Sequence, residues 1–186
     1  SGPKYVRPPG ALPEFEFLTR CTRCDRCLQA CPHEALQKAS GEARLGVNTP
    51  YVDPRAMACF LCTELPCISA CPEGALVWPR RIVKGGLHEG PRAVKMGTAV
   101  VHPDRCLAWK GEGREPIPCR TCYTRCPYPD EALRMVEPPE GGPARPEVDG
   151  DVCTGCGLCT FSCPTPESAI AIEPEREAPP SVKVSP

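Results

Sequence analysis

The stretch Cys21-Thr-Arg-Cys-Asp-Arg-Cys-Leu-Gln-Ala-Cys-Pro32 spaces four cysteines as C-x2-C-x2-C-x3-C and closes with Cys-Pro. The same spacing returns without deviation between Cys153 and Pro164. This pattern wraps three thiolates around one face of a [4Fe–4S] cube, while the fourth thiolate ligates a neighbouring cube. The chain is therefore predicted to hold cubane iron–sulfur clusters.

Two further quartets keep the closing Cys-Pro but widen one gap. Four residues separate Cys62 from Cys67, and twelve separate Cys106 from Cys119. The sixteen cysteines thus form four quartets with none left over: Cys21, Cys24, Cys27 and Cys31; Cys59, Cys62, Cys67 and Cys71; Cys106, Cys119, Cys122 and Cys126; Cys153, Cys156, Cys159 and Cys163. Four complete quartets predict four [4Fe–4S] clusters, with these sixteen cysteines as the iron ligands.

A repeat surrounds each quartet. Every Cys-Pro is followed within a few residues by Ala-Leu or Ala-Ile, and short β-like segments flank the cysteine loops. Each unit is predicted to be strand, cysteine loop, short helix and strand, and two units make one module. The predicted fold is α+β: two fused bacterial-type 2[4Fe–4S] ferredoxin modules, small and loop-rich, with little regular secondary structure. The polyferredoxin domain spans residues 17–173, with units at 17–40, 50–78, 98–137 and 146–173.

The spacing leaves open which units pair. A tandem arrangement joins neighbouring units, whereas a nested one joins the first unit to the fourth and the second to the third. The two regular quartets are the outer ones, and on that symmetry the nested pairing is favoured. It predicts four ligand sets: Cys21, Cys24, Cys27 with Cys163; Cys153, Cys156, Cys159 with Cys31; Cys59, Cys62, Cys67 with Cys126; Cys106, Cys119, Cys122 with Cys71.

Three segments lie outside the repeat. Residues 1–16 are proline-rich and are expected to wrap over the surface as an arm. Residues 79–97 form a basic linker, which is expected to offset the negative charge of the clusters; docking to an acidic partner or to anionic lipid is the alternative. Residues 174–186 lack periodic apolar positions and are expected to form a mobile tail.

Composition limits the possible functions. Only 5% of the residues are aromatic, against 26 prolines and 16 glycines, so the clusters are expected to serve as the core and to couple metal binding to folding. Four clusters of about −2 each would bring the formal charge of −1 to roughly −9, which argues against nucleic acid as a partner. A disulfide scaffold or zinc sites fit the spacing less well. No membrane-spanning stretch and no nucleotide-binding or catalytic motif is present, so electron transfer is predicted rather than catalysis.

Several further segments are distinctive: Arg7-Pro-Pro-Gly-Ala-Leu12, Cys59-Phe-Leu-Cys-Thr-Glu-Leu-Pro-Cys67, Lys95-Met-Gly-Thr-Ala-Val100 and Cys119-Arg-Thr-Cys-Tyr-Thr-Arg-Cys-Pro127. Through them the chain resembles the ferredoxin-type NapG/MauM family over about residues 7–172. One departure is Asp25, which stands where such loops commonly carry glycine, as Gly157 does in the fourth quartet.

The resemblance implies export to the periplasm by the twin-arginine route. It also implies a membrane-bound, quinol-oxidising ferredoxin-type partner, and electron flow towards a periplasmic cytochrome c or a terminal reductase or dehydrogenase system. On this basis the chain is expected to be a non-catalytic electron-transfer subunit of a quinol dehydrogenase, with no transmembrane segment of its own. The alternative is an iron–sulfur subunit of a molybdopterin oxidoreductase complex, against which the long gap after Cys106 speaks.

Overall fold

The computed structural model describes residues 5–109 and 114–175. Within these ranges the helices are α1 (Glu14–Arg20), α2 (Arg26–Ala30), α3 (Pro66–Ser69), α4 (Thr121–Arg125) and α5 (Leu158–Phe161). The strands are β1 (Leu36–Lys38), β2 (Pro50–Val52), β3 (Arg80–Val83), β4 (Gly86–Glu89), β5 (Gly97–Val101), β6 (Leu133–Val136), β7 (Arg145–Val148) and β8 (Ile170–Pro174). The fold is small and loop-rich, as predicted. None of the helices in the described ranges has both the length and the apolar character to cross a membrane.

The strands pair two by two, always antiparallel, and three of the four pairs join units that are neighbours in sequence. β1 after the first quartet pairs with β2 before the second, and an isolated bridge joins Ala11 to Leu76. β6 pairs with β7 and β5 with β8, which ties the third unit to the fourth in the same way. Residues 5–78 therefore form an N-terminal half and residues 97–175 a C-terminal half.

The short helices lie inside the quartets. α2, α3, α4 and α5 each carry the third cysteine of a quartet. The predicted helix after Cys-Pro is wrong, because those segments turn directly into strands or, in the second unit, into the bridge at Leu76. Proline disfavours the helical conformation of the residue before it, and Cys31 and Cys126 are accordingly extended at the ends of their helices.

The arm crosses the N-terminal half in extended conformation from Tyr5 onwards, and residues 1–4 lie outside the described ranges. Val6 pairs with Val52, and the buried Arg7 binds the Glu14 carboxylate through two nitrogens, 2.6 and 2.9 Å from its oxygens. Arg7 also donates to the carbonyl of Pro50 at 3.0 Å. These bonds fix the start of the chain to the sheet β1–β2.

The basic linker folds as the hairpin β3–β4 followed by a short 3₁₀ helix, Gly90–Ala93. Its turn places Lys84 and Gly85 at positive φ (50° and 82°), the arrangement of tight hairpin turns. Lys84 pairs with Asp149 at 2.8 Å, and Arg92 pairs with Glu131. We call residues 79–96 the hairpin segment; several of its cations are paired with acidic groups of the C-terminal half. Of the predicted tail, residues 176–186 lie outside the described ranges.

Candidate metal centres

Four cavities are each lined by three cysteines of one unit and by the closing cysteine of its neighbour. Site A is lined by Cys21, Cys24, Cys27 and Cys71; site B by Cys59, Cys62, Cys67 and Cys31; site C by Cys153, Cys156, Cys159 and Cys126; site D by Cys106, Cys119, Cys122 and Cys163. Each has an empty volume of about 350 to 400 Å³, open space at the mouth included. All sixteen predicted ligands are thus gathered, four to a cavity.

This grouping contradicts the nested pairing. Nesting would place Cys163 with the first three cysteines of the first unit, but Cys163 lines site D and Cys71 completes site A. The physical reason is the strand pairing, which holds neighbouring units together and brings their closing cysteines across. The widened gaps that suggested nesting lie within cysteine loops and do not affect which strands meet.

The alanine of the repeated Ala-Leu or Ala-Ile has a role that the sequence analysis did not assign. The amide of Ala35 donates to Cys31 Sγ at 3.4 Å, and that of Ala169 to Cys163 Sγ at 3.3 Å. All four repeat alanines are buried. Their recurrence four or six residues after each closing cysteine was the available signal, because an amide that must reach sulfur leaves little room for a larger side chain.

Hydrogen bonds and burial shift the pKa values of these thiols in opposite directions. In the metal-free chain, burial raises the pKa of Cys27, Cys59 and Cys122 to about 12. Burial also acts upward on Cys163, but hydrogen bonds from Thr165 and Ala169 outweigh it and lower its pKa. Buried thiols of this kind become thiolates only beside positive charge, which iron would supply.

The donor sets fit cubane clusters. Each cavity offers four sulfurs in the three-plus-one pattern that such clusters require, and thiolate is the ligand that iron–sulfur clusters select. None of the sixteen cysteines, all of which lie in the described ranges, forms a disulfide. Within residues 5–109 and 114–175, no three His, Cys, Asp or Glu side chains are arranged as ligands of a single metal ion.

A seam joins the two halves between sites B and C. The amide of Cys59 in site B donates to the carbonyl of Cys156 in site C at 2.9 Å. Gly157 has φ of 84°, and a Cβ added there would lie 2.5 Å from Pro54 Cβ. The conformation therefore favours glycine at 157, and the close approach requires it.

Arg55 clamps the same seam, and sequence reasoning missed it. Its guanidinium donates to four backbone carbonyls of the C-terminal half, at 2.9 to 3.2 Å: those of Thr160, Cys163, Thr165 and Pro166. These carbonyls surround the closing cysteine of the fourth unit. Arg55 thus fixes a ligand loop of site D from the opposite half.

The chain matches one protein family and is similar to several ferredoxin-type proteins. The family described as the 4Fe–4S dicluster domain matches residues 20–75, which contain the first two quartets. The methylamine utilization ferredoxin-type protein MauM of Methylorubrum extorquens is 40% identical over 174 residues, 92% of this chain and 73% of that protein. The MauM protein of Paracoccus denitrificans is 41% identical over 177 residues, 92% of this chain and 72% of its own length. The ferredoxin-type protein NapG of Escherichia coli is 38% identical over 175 residues, 91% of this chain and 70% of its length.

Proposed function

Because this chain belongs to the NapG/MauM family of ferredoxin-type proteins, we propose that it is an electron-transfer protein that holds four [4Fe–4S] clusters, one in each of sites A to D. The observation that carries the proposal is the set of four cavities, each with three thiols from one unit and one from the next. Under this proposal the N-terminal and C-terminal halves are two dicluster ferredoxin modules in tandem. The sixteen cysteines are the iron ligands.

The sites follow one another in the order A, B, C, D. Cys27 of site A lies close enough to Cys67 of site B for their charges to interact, and the same holds for Cys159 of site C and Cys122 of site D. The bond from Cys59 to Cys156 joins B to C. When bound, [4Fe–4S] groups supply one-electron oxidation and reduction. The protein's own residues hold the four groups in a row through which electrons pass from one end to the other.

The proposed partners and location rest on the family. We propose a periplasmic protein that receives electrons from a membrane-bound, quinol-oxidising ferredoxin-type protein and delivers them to a periplasmic cytochrome c or a reductase or dehydrogenase system. Substrate chemistry then takes place on the partners, and this chain is the relay.

Reduction by quinol tests this role. Anaerobically reconstituted protein, mixed with quinol and a membrane fraction that contains the quinol-oxidising partner, is expected to lose its visible cluster absorption, and added oxidised cytochrome c is expected to restore it. Heat-treated membranes serve as the control. If dithionite bleaches the protein while quinol with active membranes does not, the proposed electron source is wrong.

Loss of the Arg55 clamp is expected to loosen the seam. Arg55→Ala removes four hydrogen bonds from a charged donor, and since the side chain is largely exposed we expect the free energy of unfolding to fall by about 1–3 kcal/mol. Thermal unfolding of the holoprotein measures the change, and the magnetic interaction between reduced clusters in the EPR spectrum should weaken as the halves separate.

Arg134→Ala is the matched control, because Arg134 is exposed and pairs with the exposed Glu147 at 2.6 Å. Such surface pairs contribute about 0–1 kcal/mol. Equal losses of stability in Arg55→Ala and Arg134→Ala, with an unchanged EPR spectrum, would show that Arg55 does not hold the halves together.

A further inference from the structure

Two cations of the hairpin segment, Arg81 and Lys95, converge on the backbone that leads into site C. Arg81 Nη1 donates to the carbonyl of Asp151 at 2.7 Å. Lys95 Nζ donates to the carbonyls of Gly150 at 2.7 Å and Cys153 at 3.1 Å. Both charges therefore sit beside the first cysteine of site C, and neither contacts a sulfur directly in these hydrogen bonds.

Arg81 is buried, and part of its guanidinium has no hydrogen-bond partner among the described residues. It is 8% exposed, and the two buried nitrogens concerned are Nε and Nη2. Burial lowers the pKa of Arg81, while the negative charges of Asp151 and Glu175 act against that shift. A buried guanidinium with two unpaired donors is strongly unfavourable unless an anion lies nearby.

Two of the four cysteines that line site C are shielded from solvent. Cys156 and Cys159 are 7% and 8% exposed, whereas Cys24 of site A is an exposed residue. A negatively charged group in site C would be screened mainly by protein charges rather than by solvent. The two unpaired N–H donors of Arg81 therefore complement, in charge, a negative group held by the thiols of site C.

We propose that Arg81 and Lys95 raise the reduction potential of site C by holding one buried and one half-buried positive charge beside the cluster that the proposed function places there. The inference rests on that function. One electron enters site C from site B or site D without a bond forming or breaking, and it adds one negative charge. Net charge and solvent exposure are among the factors that set such potentials. Arg81 and Lys95 stabilise the added charge by their field, so they are positioning residues and not ligands.

Neutral substitutions at these positions test the inference. In Arg81→Gln and in Lys95→Gln, the equilibrium constant for reducing one cluster is expected to fall about tenfold, a shift of about 59 mV to more negative potential. The other three couples should stay in place. Redox titration of the holoprotein, followed by EPR, measures all four couples. The couple altered by Cys126→Ala identifies site C.

Arg80→Gln is the matched control. Arg80 adjoins Arg81 on β3 but points to the opposite face, where it pairs with Glu89 at 3.0 Å, and both side chains are about half exposed. Its removal should leave every couple in place. Arg81→Lys and Lys95→Arg keep the charge and should keep the potential.

The outcomes separate this inference from the proposed function. If iron content stays complete and no couple moves in Arg81→Gln or Lys95→Gln, the inference is overturned while the electron-transfer role stands. An equal shift in Arg80→Gln also overturns it, as does a shift in Arg81→Lys as large as that in Arg81→Gln, since packing rather than charge would then be responsible. If Arg81→Gln binds less iron than the parent, the test rests on Lys95→Gln and the charge-keeping variants. Absence of a shift in Lys95→Gln, or an equal shift in Lys95→Arg, then overturns the inference. A parent protein without clusters would instead refute the proposed function.

Discussion

The triple variant Cys24→Ala/Cys27→Ala/Cys71→Ala is expected to lose no more iron than the double variant Cys24→Ala/Cys27→Ala. The double variant removes two ligands of site A and should hold about twelve irons where the parent holds about sixteen, at four per cubane cluster. Because Cys71 lines that same site, its removal should leave the other three clusters intact. Iron quantification and EPR of the oxidised proteins measure both quantities.

The reciprocal triple variant replaces Cys163 instead of Cys71 and provides the control. Cys163 lines site D, so this variant should fall below about twelve irons or show the EPR signal of a damaged three-iron cluster. Alanine is used because a serine oxygen is itself able to bind iron. The nested pairing predicts the opposite. Relative to the double variant, adding Cys71→Ala would then damage a second cluster, and adding Cys163→Ala would damage none. That result would refute the tandem arrangement.

The sequence predicted three of the four cysteines of each cavity, because those three are close together in the chain. Cys21, Cys24 and Cys27 line one cavity because a few peptide bonds keep them together. The fourth cysteine comes from another unit, and both pairings satisfy the same spacing. The deciding information lies in strands as short as β1 and β2, three residues each, in which an apolar alternation is too brief to recognise.

The hairpin segment shows a second limit. Alternation along β3 buries Arg81 and Val83 and exposes Arg80 and Ile82, so one arginine of an adjacent pair points inward while an isoleucine is 57% exposed. A hydrophobicity pattern predicts the reverse for Ile82 and Arg81. The buried Arg81 donates to the carbonyl of Asp151, which is 70 residues away in sequence and invisible to a local pattern.

Asp25 lies at the position that Gly157 occupies in the fourth quartet, as the sequence predicted. Gly157 directly precedes α5 at φ of 84°, and Asp25 directly precedes α2 at φ of 62°, so the departure from glycine does not change the backbone. Aspartate tolerates the left-handed region better than most residues. Its carboxylate also binds Lys38 of β1, which adds a contact that glycine could not make.

Iron removal is expected to abolish the cooperative thermal unfolding of this protein. Few large side chains are fully buried, and the hydrophobic clusters are built around the cysteines that line sites A to D. Without metal, each half would enclose two cavities whose lining atoms lose their contacts, and the cost of a cavity grows with its volume. Calorimetry and far-UV circular dichroism of the chelated chain measure the loss, and reconstitution with iron and sulfide should reverse it. Zinc, offered at the same concentration, should not.

The C-terminal half is expected to lose its structure first. Apart from Cys156, its residues contribute to three small clusters of four, three and three buried hydrophobic residues, one of which includes Val83 of the hairpin segment, whereas the main cluster of fourteen is centred on the N-terminal half. The N-terminal half also keeps the arm, whose Arg7 binds Glu14 and Pro50 without any need of metal. Limited proteolysis of partly demetallated protein should therefore cut within residues 97–175 before it cuts within 5–78. Early cleavage of the N-terminal half, or a native-like spectrum with a sharp transition in the iron-free chain, would show that side-chain packing alone holds the fold.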